Sequence, residues 1–128
     1  MKKNLHRIIM SALLTVLATV AASAQCYIVG SDNEWKTNTA AAELAETATT
    51  GVYEGDVTFV NGAQYFTVTQ HLTTGDDDWT EFNKNRFAPS VFDAMLVINE
   101  PMTMVKGRDA SFKVPVAGTT YRMRIDFN

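Results

Sequence analysis

An apolar leader at the N-terminus decides how much of this chain is available to fold. Three basic residues lie within the first seven positions, and residues 8–20 form an apolar stretch too short for a typical membrane-spanning helix. Residues 22–24 read Ala-Ser-Ala, which is the small-x-small pattern of a cleavage site. We therefore predict that residues 1–24 are a cleaved secretory signal and that the mature protein begins at Gln25.

The remainder, residues 25–128, is predicted to form a single acidic domain. It holds 104 of the 128 residues, and it keeps eight of the eleven Lys and Arg residues against all fourteen Asp and Glu residues. An acidic chain without a basic stripe is a poor ligand for nucleic acid or for anionic lipid. The secretory signal predicts export to a periplasmic, outer-membrane-associated or extracellular location, and no further apolar stretch predicts a membrane span in the mature chain.

Cys26 is the only cysteine, so no internal disulfide can form and the hydrophobic core must hold the domain together. Two interpretations of this residue remain open. As the first residue of a lipoprotein it would carry an acyl chain, but Gln25 stands where that processing site needs a small residue. We favour a buried free thiol.

Segments of period two, separated by turn residues, predict an all-β fold, specifically an antiparallel β-sandwich. The strongest signal is a hairpin that joins residues 52–60 to residues 63–69 through Asn61-Gly62, a dipeptide typical of tight turns. Alternation directs Phe66 inward and Tyr65 outward.

Three other segments complete this interpretation. Residues 39–48 are rich in alanine, which favours at most a short helix or an irregular crossing. Residues 72–90 form a long excursion rich in Asp, and loops of that length in small domains are often functional. Residues 120–127 alternate apolar and charged side chains and predict a strand with one face in water.

A series of aromatic and glycine positions runs through the chain. In order, these are Tyr27-Ile28-Val29-Gly30-Ser31, Trp35, Gly51-Val52-Tyr53-Glu54-Gly55, Tyr65-Phe66-Thr67-Val68-Thr69, Trp79 and Tyr121-Arg122-Met123-Arg124-Ile125-Asp126. This order resembles the immunoglobulin-like starch-binding modules of Sus-type (SusE- and SusF-like) outer-membrane proteins from gut-dwelling Bacteroidetes. The resemblance implies an immunoglobulin-like sandwich that holds α-glucan without catalysis, alongside other outer-membrane glycan-uptake proteins.

The residues also suggest where a saccharide would bind. A sugar ring offers an apolar C–H face and a rim of hydroxyls, so its site needs an exposed aromatic ring with polar groups beside it. Trp79 fits this description, and Asn83 and Arg86 follow it closely in the chain. Trp35 and the outward Tyr65 are further candidate platforms. The alternative for either tryptophan is that it caps the core, and Arg86 could equally tether a loop.

Catalysis and cofactors are not expected. His71 is the only histidine after the leader and has no serine or cysteine nucleophile motif near it, and a small sandwich rarely provides the deep cleft a glycosidase needs. The acidic run at residues 76–78 lacks the spacing of a calcium loop, so we predict no metal site, although calcium stays open. A second hypothesis for function is an exported structural or protein-interaction module.

Overall fold

The computed structural model describes residues 6–12, 25–60, 62 and 64–128, and their secondary structure is mostly β. One α-helix, α1 (Trp79–Asn85), and one 3-10 turn (Ser31–Asn33) accompany ten strands in these ranges. The strands are β1 (His6–Ala12), β2 (Cys26–Gly30), β3 (Ala42–Glu46), β4 (Val52–Thr58), β5 (Tyr65–Thr69), β6 (Arg86–Pro89), β7 (Ala94–Met95), β8 (Met102–Lys106), β9 (Phe112–Lys113) and β10 (Thr120–Asp126).

The strands form one sheet that closes on itself. Eight of them follow the antiparallel order β2-β3-β4-β10-β1-β8-β6-β5, and β5 pairs back onto β2 to complete the ring. The short strand β9 adds to β5, and β7 adds to β9 in parallel. The all-β prediction is confirmed. The immunoglobulin-like sandwich is not confirmed, because the strand pairing describes a closed, barrel-like sheet.

Apolar side chains from all around the ring fill its interior. Along β10, Tyr121, Met123 and Ile125 are buried while Arg124 is exposed, as the alternation predicts. Aromatic rings dominate the centre, where Phe66 lies 5.2 Å from Phe112, centroid to centroid. The aromatic members of this core are Tyr53, Phe59, Phe66, Phe87, Phe112 and Tyr121.

The predicted hairpin between residues 52–60 and 63–69 is wrong, although both of its strands exist. Strand β4 pairs with β10 on one edge and with β3 on the other, and β5 pairs with β2 and with β6 and β9. Since a strand has two edges, neither can also pair with the other. Asn61 lies outside the described residues, and Gly62 has the positive φ of 80° expected of a turn glycine.

Residues 39–48 contain a strand rather than a helix. Strand β3 fills the space between β2 and β4, with Leu44 buried and Glu43 and Ala45 exposed on either side of it. Helix propensity is a weak preference, and two open strand edges that need hydrogen-bond partners outweigh it here.

The N-terminal strand lies inside the segment predicted to be a cleaved signal. Strand β1 sits between β10 and β8, and its Ile8 and Met10 are fully buried in the core. The rest of the predicted signal, residues 1–5 and 13–24, lies outside the described residues. Cys26 is a buried free cysteine, and burial raises the pKa of its thiol far above the ordinary value.

Candidate functional site

A second layer covers part of the outer surface of the sheet. Val29 of β2 and Thr67 of β5 alternate with core residues and so point away from the core, yet both are fully buried. The segment that contains α1 reaches this face at Thr67, to which Arg86 is bonded, and its Phe82 is completely buried. The candidate site is on this outer layer, outside the sheet interior.

Arg86 ties the layer together. Its Nε donates to Thr67 Oγ1 at 3.2 Å, and its Nη2 donates to the carbonyl oxygen of Ala110 at 2.6 Å. Its Nη1 donates both to Asn83 Oδ1 at 3.0 Å and to Asp109 Oδ1 at 3.1 Å. Burial lowers the pKa of Arg86, and the nearby Asp109 carboxylate partly offsets this. Arg86 therefore acts as the tether considered from sequence.

Thr37 joins the loop after β2 to the excursion that leads into α1. Its buried hydroxyl donates to the carbonyl oxygen of Gly75 at 2.9 Å and accepts from the Asp78 backbone N–H at 3.1 Å. Its own N–H donates to the Asp76 carbonyl at 3.1 Å. These bonds hold two segments, about forty residues apart in sequence, side by side.

The backbone around Trp35 is held in an uncommon conformation. Glu34 and Trp35 both adopt left-handed φ angles, 59° and 57°, which non-glycine residues seldom do. Asn33 supports the turn, since its Oδ1 accepts from the Gly30 N–H and its Nδ2 donates to the Lys36 and Thr39 carbonyls. Such strain tends to occur at sites where a side chain must be presented in a fixed direction.

These hydrogen bonds and the turn at Trp35 hold the two tryptophans together at one cavity. The rings of Trp35 and Trp79 lie 6.4 Å apart, centroid to centroid, with an angle of 47° between their planes. The cavity has a volume of about 370 Å³, within the usual range for ligand pockets. Its lining residues are Trp35, Trp79, Asn83, Arg86, Asp109 and Ser111.

Four of the five residues predicted from sequence thus share one cavity. The alternative from sequence is that one or both tryptophans cap the core. Both Trp35 and Trp79 are only partly buried, and neither belongs to the core cluster. Trp79 rests edge-on against Phe82 at 5.3 Å, and the Arg86 guanidinium carbon lies 5.7 Å from its ring centre.

Tyr65 lies elsewhere. It lines a second cavity of about 420 Å³ together with Asp32, Glu34 and Gln64. Lys113 Nζ is 5.5 Å from its ring centre, and Asp32 anchors this region by accepting the Val60 backbone N–H. The structure does not bring Tyr65 to the tryptophan cavity.

Sequence reasoning missed Asp109 and Ser111. Both come from the turn before β9, more than twenty residues after Arg86 in sequence, and no local motif links them to the tryptophans. The one signal was Arg86 itself, because a buried guanidinium requires acceptors, and Asp109 is one of them.

The acidic run next to Trp79 has a structural role in part. Asp78 Oδ1 accepts the Glu81 N–H at 3.1 Å and so caps the start of α1. In the ranges that the structure describes, no three His, Cys, Asp or Glu side chains converge as a metal site would require. Nor does any helix there have the length and apolarity to cross a membrane.

Comparison with known proteins gave no match, whether to a family model, to a curated protein or to a solved structure.

Proposed function

We propose that this protein is an exported, non-catalytic domain that binds carbohydrate by stacking sugar rings on Trp79 and Trp35. The observation that carries the proposal is the pair of partly exposed indoles at the rim of one cavity. Indole faces are large, flat and apolar, which suits the C–H face of a pyranose ring. Two rings 6.4 Å apart offer contacts to more than a single sugar unit.

The polar groups beside the indoles suit the hydroxyl rim of a sugar. Asn83 and Asp109 each give one oxygen to the same Arg86 nitrogen, so these two oxygens lie on the order of 5 Å apart. With its oxygen fixed in this way, Asn83 has its amide N–H groups left to donate to a ligand. Asp109, whose side chain is 81% exposed, has its second oxygen left to accept. A donor and an acceptor so close together match two neighbouring hydroxyls.

The shape of the site argues for weak, reversible binding. The cavity lies on the surface layer, so a bound glycan would stay largely in water and would lose conformational freedom. We therefore expect dissociation constants in the submillimolar to millimolar range. Starch or another α-glucan is the first ligand class to test, following the Sus-type resemblance, and other outer-membrane glycan-uptake proteins are the expected partners. We also propose that the closed ring of strands is a variant of an immunoglobulin-like sandwich.

Affinity electrophoresis in gels that contain soluble glycans tests the proposal. We expect retardation of the wild-type protein in at least one α-glucan gel and its loss in Trp79→Ala. Tyr65→Ala is the matched control, because it removes an aromatic ring from the second cavity, and its mobility should equal that of the wild type. Equal mobility of Trp79→Ala and wild type in every retarding gel would remove the tryptophan cavity from the function.

A protein-interaction module is the second candidate function, and a separate surface favours it. Val91, Phe92, Met95 and Val97 are between 46% and 66% exposed, which is a large apolar exposure for one short segment. This hypothesis predicts that Phe92→Ser abolishes capture of a partner and leaves glycan retardation unchanged. The carbohydrate hypothesis predicts that Trp79→Ala does the reverse.

A further inference from the structure

Strand β1 is deeply integrated into the sheet. It forms six register pairs with β10, from Arg7 opposite Asp126 to Ala12 opposite Tyr121, and three with β8. The Asn99 N–H also donates to the Met10 carbonyl at 2.6 Å. Ile8 and Met10 are both fully buried. The ring is therefore closed by a strand that belongs to the predicted signal.

Cleavage before Gln25 would remove this strand. This loss depends on the predicted cleavage and is independent of carbohydrate binding. Loss of β1 would leave a groove, with the free edges of β8 and β10 as its walls and the space vacated by the Ile8 and Met10 side chains at its floor. Unpaired strand edges beside an exposed core are a template for another strand.

We propose that this groove is an acceptor site for an extended strand, which another polypeptide supplies after export. The nine remaining strands are already paired within the sheet. Gln25 immediately precedes β2, which is held between β3 and β5, so the mature N-terminus has no spare segment to place there. Strand addition of this kind gains affinity from main-chain hydrogen bonds and specificity from the pockets for alternate side chains.

The groove also specifies the chemistry of the incoming strand. Two alternate positions, those of Ile8 and Met10, require aliphatic or thioether side chains. The position opposite Asp126 favours a basic residue, as Arg7 now provides, and the position opposite Arg124 favours an acidic or neutral one. Ile98, which is 39% exposed, forms a parallel bridge with Met10, so the incoming strand would also pair there.

The test uses the full chain with a protease recognition sequence inserted between residues 24 and 25. After purification and cleavage, a labelled peptide of sequence HRIIMSA is added in excess, and native mass spectrometry and fluorescence anisotropy follow its exchange with the resident segment. One control peptide carries Ile8→Asp and Met10→Asp. A second carries Ile9→Asp, which changes a position that alternation directs away from the core.

We expect the unmodified peptide to exchange into the cut protein. The doubly substituted peptide should bind at least about tenfold more weakly, and the Ile9→Asp peptide within about threefold of the unmodified one. Absence of exchange would refute an accessible groove between β8 and β10, and equal binding of all three peptides would refute its selection of alternate apolar side chains. The mass of the exported protein is the second readout, because retention of residues 6–12 after export would also overturn the proposal.

Discussion

The interior of the sheet and the layer on its outer surface are held together by different interactions. Inside, apolar side chains such as Phe66 and Ile125 are completely buried and contact one another. On the outer layer, the buried groups include Arg86 and Thr37, and their side-chain hydrogen bonds join segments far apart in sequence. Apolar burial is non-directional, whereas a hydrogen bond requires a set distance and angle.

This contrast explains where a binding site can arise. The interior sets most of the stability, because apolar burial is the dominant favourable term in folding. The outer layer adds less, but it fixes Trp35 and Trp79 at one cavity. Substitutions in the interior should therefore mainly destabilise the protein, and substitutions in the outer layer should mainly loosen the site.

Phe66→Ala should have the largest effect on stability. Phe66 is fully buried between Phe59 and Phe112, and truncation leaves a cavity in the interior. We expect the free energy of unfolding in urea to fall by about 3–5 kcal/mol. Val116→Ala, at a residue 58% exposed, is the control and should change it by less than about 0.5 kcal/mol. A loss below about 1 kcal/mol for Phe66→Ala would argue against a tightly packed interior.

Arg86→Met should destabilise the protein less and impair the site more. The variant removes four hydrogen bonds and leaves the Ala110 carbonyl without its charged donor. We expect a loss of about 2–3 kcal/mol in the free energy of unfolding, together with loss of glycan retardation. Asp109→Asn changes an exposed partner and should lose about 1 kcal/mol or less. Normal glycan retardation by Arg86→Met would contradict a role for Arg86 in holding the site.

Cys26 makes the free energy of unfolding depend on pH in alkaline solution. Its pKa is raised in the folded state, so the thiol stays protonated there while the unfolded thiol ionises near its ordinary value of 9.0. The contribution of this thiol to the free energy of unfolding is therefore complete below that pH. It is lost as the pH rises, by about 1.4 kcal/mol between about pH 8 and pH 10. Cys26→Ala should lack this part of the decline. Parallel curves for the two proteins would show that the thiol is accessible to water.

Apart from the control variants, Thr37→Val should have the smallest effect on the free energy of unfolding. Its effect on hydrogen exchange should be local. The substitution keeps the shape but removes the hydroxyl that bonds to Gly75 and Asp78, for an expected loss of about 1 kcal/mol. Hydrogen exchange in residues 71–78 should accelerate while exchange in β10 stays unchanged. The control is Thr120→Val, which removes a hydroxyl that pairs with Thr58 on an exposed face. It should leave hydrogen exchange in both regions unchanged.

The contrast between the two regions also explains what the sequence could predict. Period-two alternation identified the buried residues of β10 and the inward Phe66, because each follows from local geometry. Pairing partners were harder, since the Asn61-Gly62 signal indicates a turn but cannot show that β3 and β10 already occupy both edges of β4. Strand β1 escaped prediction because its apolar residues fit a signal equally well.

The site was predicted in part for a similar reason. Trp79, Asn83 and Arg86 are close in sequence and could be grouped by their chemistry, and Trp35 was added as a second platform. Alternation gives the outward face of Tyr65 but not its distance from a loop, so it cannot show that Tyr65 lies at the second cavity. Asp109 reaches the site through a hydrogen bond to Arg86 from a distant turn, and that contact exists only in the folded chain.

A titration of tryptophan fluorescence with maltooligosaccharides and a broad panel of other oligosaccharides tests whether the tryptophan cavity binds glycan. The chain has two tryptophans, and both line the same cavity, so the emission reports on this site alone. Glycan binding at this cavity should give a saturable change in emission with at least one glycan, and it should protect the indoles from a soluble quencher at saturation. Emission and quenching that stay unchanged with every glycan would contradict it.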